Sequence, residues 1–94
     1  MTLLREDKTA KPDFSYVGEM YEAFARVMKR FEEGAAKYSR MNFENCEDPL
    51  TYEQSFIRHA LQHINGQEDE DHLAACVANA LILMHLEENH VTQS

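Results

Sequence analysis

Residues 55–86, SFIRHALQHINGQEDEDHLAACVANALILMHL, decide the fold, because in them two apolar helical patterns meet at a single glycine. On the near side of Gly66 the apolar positions Tyr52, Phe56, Ile57, Ala60, Leu61 and Ile64 recur at helical steps. Ser55, Arg58 and Gln62 point away from that face, and His59 and His63 lie at its margin. Thr51, followed three residues later by Gln54, is a candidate capping box for this helix, and Gly66 is its expected stop. On the far side a helix is expected from Asp69 or Glu70 to about Glu88, with QEDED at its N-terminus. Carboxylates there accept unpaired backbone N–H groups and oppose the positive end of the helix dipole. Leu73, Val77, Ala80, Leu81 and Met84 form one apolar face, and Cys76, Ile82, Leu83 and Leu86 fill much of the other side. Only a narrow strip through Asp71, Ala74, Ala78 and His85 is left, and a helix apolar nearly all round is buried on more than one side. A second subunit is the expected cover, with His72 and Asn79 stacked on that second face.

Upstream, Tyr16, Val17, Met20, Tyr21, Phe24, Val27, Met28, Phe31 and Ala35 recur at three- and four-residue steps and predict another amphipathic helix. Its solvent face carries Glu22, Arg26, Lys29, Arg30 and Glu33. Residues 1–13 end in Lys-Pro-Asp and read as an extended lead-in, since the residue before proline avoids helix. Residues 38–50 lose the periodicity and carry Asn42, Asn45, Asp48 and Pro49 around Phe43, so they read as a loop long enough to shape a site. The expected architecture is all-α: one domain over residues 1–94, a small bundle of three main helices completed by oligomerisation as a homodimer or homotetramer.

Composition narrows the function. A chain of 94 residues supports a single core of marginal size. With 17 acidic against 9 basic residues and a formal charge of -8, it lacks the basic clusters that bind duplex nucleic acid. Its Cys46 and Cys76 are far apart, in no CxxC pair, and are expected to be free thiols in a reducing cytoplasm. No apolar run approaches the roughly 20 residues of a membrane span.

Several residues carry possible chemistry. Glu68 and Asp71, three apart, aim to one side, and their oxygens suit Mg²⁺ as well as helix capping. His59 and His63 have one-turn spacing, and with His72 and Asp71 across the Gly66 turn they are candidate zinc ligands. Asn79, set in VANALILM, needs a partner for its amide, because a buried unpaired amide costs about 1–3 kcal/mol. Lys37, Arg40 and Arg58 are the basic groups best placed to meet an anion near the loop.

Taken in order, the motifs KPDFSYV, FARVMKRFEEGAAKYSRMNF and the long stretch quoted above resemble the N-terminal domain family of dATP/dGTP diphosphohydrolases. That family is common in phage genomes and is placed with the MazG-like all-α nucleoside triphosphate pyrophosphohydrolases. The resemblance covers most of the chain. At matching positions it implies Gly34, Lys37, Tyr38 and Asn42 from the first block, then Arg58, His59, Asp71, His72 and Asn79 from the second. It further implies an oligomeric bundle in which carboxylate-held Mg²⁺, or Mn²⁺, activates water to release pyrophosphate from a purine deoxynucleotide. The roles implied are His59, Asp71 and His72 for catalysis, Lys37, Tyr38, Asn42, Arg58 and Asn79 for substrate, and Glu68, Asp71, Glu32 and Glu33 for metal. The chain departs from the superfamily's ExxE and ExxD motifs: Asn79 stands where an aspartate is expected, and Gln67 separates Gly66 from Glu68. Three readings follow: a metal-dependent pyrophosphohydrolase in the cytoplasm, or the host's cytoplasm for a phage protein; a non-catalytic nucleotide binder or acidic helical inhibitor; and a zinc-binding helical protein.

Overall fold

The computed structural model describes residues 11–90, in which every regular element is helical. Helix α1 spans Ser15–Glu19, α2 Tyr21–Lys37, α3 Leu50–Ile64 and α4 His72–His90, with a 3-10 turn at Asn42–Asn45 inside the loop. The all-α class is as expected from the periodicity. Of the lead-in, residues 1–10 lie outside the described residues, and residues 11–13 have no helical structure.

The first helix is expected to be continuous and is instead divided at Met20, whose backbone (φ -109, ψ 36) leaves helical geometry. Phe14, Tyr16, Val17, Met20 and Tyr21 are exposed, so among the described residues little packing holds this turn, and Gly18 weakens it by about 1 kcal/mol relative to alanine. Beyond the break α2 turns Val27 inward, where it packs with Ala74 and Ala78 of α4 and with the half-buried Phe31 and Leu81.

This contact corrects the expected orientation of α4. The strip through Ala74 and Ala78, the leftover side by hydrophobicity, is the buried one, whereas Leu73, Val77 and Met84 are exposed. Helix α3 is rotated in the same sense: His59 is buried and Ser55 half-buried, while Ile57, Leu61 and Ile64 are exposed. Of the two helices that pack on α4, α3 makes the larger contact.

The helix ends also differ in part from expectation. Thr51 does not cap α3; the helix begins after Pro49, whose fixed φ suits a first turn, and Asp48 Oδ1 accepts the Leu50 N–H at 3.0 Å. Gly66 does close α3, at φ 75, with Gln67 N–H donating to the Gln62 carbonyl and Gly66 N–H to the His63 carbonyl, both at 3.0 Å. Those two bonds are a Schellman motif, in which glycine supplies the left-handed residue. Helix α4 starts later than expected, and its cap is Asp71, whose Oδ1 accepts the Ala74 N–H at 3.2 Å. The loop is tied down by Phe43, packed edge-on against Phe31 and His85 with ring centroids 5.9 and 5.7 Å away. Beside it His85 Nε2 meets Glu44 Oε2 at 2.8 Å.

Asp71 has a second structural contact. Arg26 Nε and Nη2 donate to its two oxygens at 2.9 and 2.8 Å, clamping α2 to the start of α4. That fork is the main reason the Asp71 carboxyl is held down at about 2. Asp71→Ala is expected to cost about 1 kcal/mol through the lost cap alone, and Asp71→Asn less, because asparagine caps equally well. Urea melts of the two variants check this; equal losses would place the effect in the Arg26 fork.

Candidate functional site

The seam between α3 and α4 is polar where most helix seams are apolar. One turn separates Ser55 from His59 on α3, and two turns separate His72 from Asn79 on α4, so each pair shares a face. Asn79 Nδ2 donates to Ser55 Oγ at 3.2 Å and to the Ala75 carbonyl at 2.8 Å. The partner that Asn79 requires is therefore on α3 and in its own preceding turn, and among the described residues Oδ1 is the amide atom left for a ligand.

Further along the seam, His59 Nδ1 and His72 Nδ1 lie 2.8 Å apart with their rings tilted by 35°. Both side chains are buried, His72 with 2 % of its surface exposed and His59 with 8 %. On its other nitrogen, His72 Nε2 meets Asp69 Oδ1 at 2.7 Å. A carboxylate accepts, so His72 carries its proton on Nε2 and offers the Nδ1 lone pair toward His59. Burial pushes the His59 imidazole below its ordinary range, with the neighbouring Glu70 carboxylate opposing that shift. Glu70 is held by Arg30 Nη2 at 2.7 Å, which lowers its carboxyl. One ligand atom from each of His59, Glu70 and His72 lies within 4.8 Å of the others, and among the described residues this is the group of three close enough to share a metal ion.

The remaining expected site residues divide into two sets. Tyr38, Asn42, Arg58 and Asn79 come together as walls of one open groove, with a volume of about 690 Å³. Asp48, Thr51, Tyr52, Gln54 and Ser55 also line it, so the loop after α2 forms part of its wall. That volume is in the range of small-ligand pockets, about 300–1,000 Å³. Lys37, the last residue of α2, is not among the groove's walls.

The carboxylates expected around a cation do not gather. Asp71 is paired with Arg26, Glu33 lies 3.4 Å from Arg30, and Glu32 and Glu68 are exposed. Mg²⁺ takes hard oxygen ligands in near-octahedral geometry, and these residues do not fit it as a resident ion. The zinc set of His59, His63, His72 and Asp71 is also revised: His63 is exposed and Asp71 lies outside the cluster, which takes Glu70 instead. Glu70 and Asp69 are readily mistaken for simple helix caps, although Asp69 stands three residues before His72, within reach of its ring.

Tyr38 and Asn42 from the loop, Arg58 from α3 and Asn79 from α4 thus converge on one groove. Residues 3–94 match the family described as dATP/dGTP diphosphohydrolase, N-terminal. The chain belongs to this family. No curated protein and no solved structure matches it. The description of this family points to hydrolysis of a nucleotide phosphoanhydride. Among the described residues no helix is long and apolar enough to cross a membrane.

Proposed function

We propose that the chain is a cytoplasmic nucleoside triphosphate pyrophosphohydrolase that converts dATP or dGTP to the monophosphate and pyrophosphate, in the host's cytoplasm if phage-encoded. The observation that carries this reading is the single groove that gathers Tyr38, Asn42, Arg58 and Asn79. Arg58 supplies the planar fork of donors that suits phosphate oxygens. Tyr38, a largely exposed part of the groove's wall, offers a ring face to the base, and the Asn42 and Asn79 amides offer hydrogen bonds to base or sugar. Lys37, one residue before Tyr38, draws the phosphate chain toward the mouth. His59 and His72, on the same seam, orient water or the phosphates. Positioning and charge neutralisation are the chief means by which a protein accelerates such a displacement.

Pyrophosphate release from dATP and dGTP, supplied as their Mg²⁺ or Mn²⁺ complexes, tests the reading; no release from any nucleoside triphosphate would remove it. The dispersal of Glu32, Glu33, Glu68 and Asp71 favours a second reading, a domain that binds nucleotide without hydrolysing it. A melting temperature raised by dATP or dGTP, with no pyrophosphate formed, would select that alternative, since a ligand bound only to the folded state stabilises it by mass action.

We also propose that the working unit is a homodimer or homotetramer. Ile57, Leu61 and Ile64 of α3 and Leu73, Val77 and Met84 of α4 all expose 40 % or more of their surface. Light scattering after gel filtration is expected to give two or four times the 10.9 kDa chain mass. A monomer at micromolar concentration would count against it.

A further inference from the structure

We propose that His59, Glu70 and His72 form a binding site for a divalent transition-metal ion, with Zn²⁺ as its probe. This site does not rest on the nucleotide reading. Two buried imidazoles face each other through Nδ1 atoms 2.8 Å apart, and only one proton fits between them. The alternative to a shared proton is a shared cation. Two nitrogens bound to one tetrahedral Zn²⁺ at about 2.0–2.1 Å lie about 3.3 Å apart, so a slight parting of the rings admits the ion. Glu70 supplies a carboxylate oxygen within 4.8 Å of one ring nitrogen of each histidine.

The surroundings of these groups support the same assignment. His72 Nε2 is bonded to Asp69 Oδ1 at 2.7 Å, which directs the Nδ1 lone pair toward His59. A metal-ligating histidine regularly has its second nitrogen fixed in this way by a carboxylate. Arg30 anchors Glu70 at 2.7 Å, so the acidic ligand is positioned from α2 while the imidazoles come from α3 and α4. Two imidazoles and one carboxylate suit Zn²⁺ or Fe²⁺ and are a poor match for Mg²⁺, which is consistent with the scattering of the other acids. Three protein ligands leave a coordination position open, as in catalytic sites.

The test is metal binding by the full chain after stripping with chelator. Equilibrium dialysis is expected to give one Zn²⁺ per chain, undiminished by excess Mg²⁺, and Co²⁺ is expected to give visible bands of low coordination number. Glu70→Gln, His59→Ala and His72→Ala should each abolish both signals, Asp69→Asn should weaken binding roughly 10- to 100-fold, and His63→Ala should change nothing. Glu70 and Asp69 are exposed, so their variants keep the test valid should the histidine variants fail to fold. No Zn²⁺ or Co²⁺ bound by the parent chain, or binding that survives Glu70→Gln unchanged, overturns the site. Because the readout is the ion alone, a chain that binds Zn²⁺ and leaves dATP and dGTP intact supports the site while counting against the hydrolase reading.

Discussion

Replacing Arg58 with alanine is expected to lower kcat/KM for dATP and dGTP by roughly 10- to 100-fold, the loss of a charge-assisted hydrogen bond worth about 1.5–3 kcal/mol. Arg58 is exposed, and its one hydrogen bond among the described residues, to Ser55 Oγ at 3.4 Å, is long. The fold therefore depends little on it, and its stability should change by no more than an exposed substitution normally causes, about 0.5 kcal/mol. Arg58→Lys should recover part of the loss, since lysine keeps the charge but presents no planar fork to a phosphate. Steady-state kinetics with both nucleotides reads the effect. If the domain binds without hydrolysis, the same loss appears as a weaker Kd in a thermal titration. Kinetics and binding both untouched by Arg58→Ala would move the phosphates out of the groove.

The groove was legible only because a family resemblance carried its residues. Tyr38, Asn42, Arg58 and Asn79 come from a loop and two helices, and nothing in their spacing announces that α3 and α4 will close behind the loop. The helices themselves were readable from periodicity, as was the stop at Gly66, because local backbone chemistry dictates both. Their inner faces were not. Hydrophobic periodicity identifies the most apolar face of a helix, whereas in this chain the face turned inward carries Ser55 and His59 on α3 and alanines on α4. The role of Glu70 was hidden for a different reason. A carboxylate at a helix N-terminus already has a sufficient explanation in capping, and its Arg30 partner lies 40 residues away in sequence.

The inner face of α4 leads to the second large effect. Ala78→Leu is expected to destabilise the fold by about 1–3 kcal/mol, because Ala78 is 7 % exposed and packs against Val27, leaving no room for added methylenes. For a domain of this size that corresponds to a fall in melting temperature of at least about 4 °C. Met84, on the same helix but 60 % exposed, supplies the contrast. Met84→Asp leaves the packing of α2 on α4 intact, so within one chain it should cost little. In an assembly it places a charge in an apolar interface and should shift the light-scattering mass toward the single chain. The two variants thus separate the core of the protomer from the surface that joins protomers. If Ala78→Leu were tolerated and Met84→Asp unfolded the monomer, the leucine, valine and methionine side of α4 would be the true core, and α2 would have to pack on the opposite face from the one described.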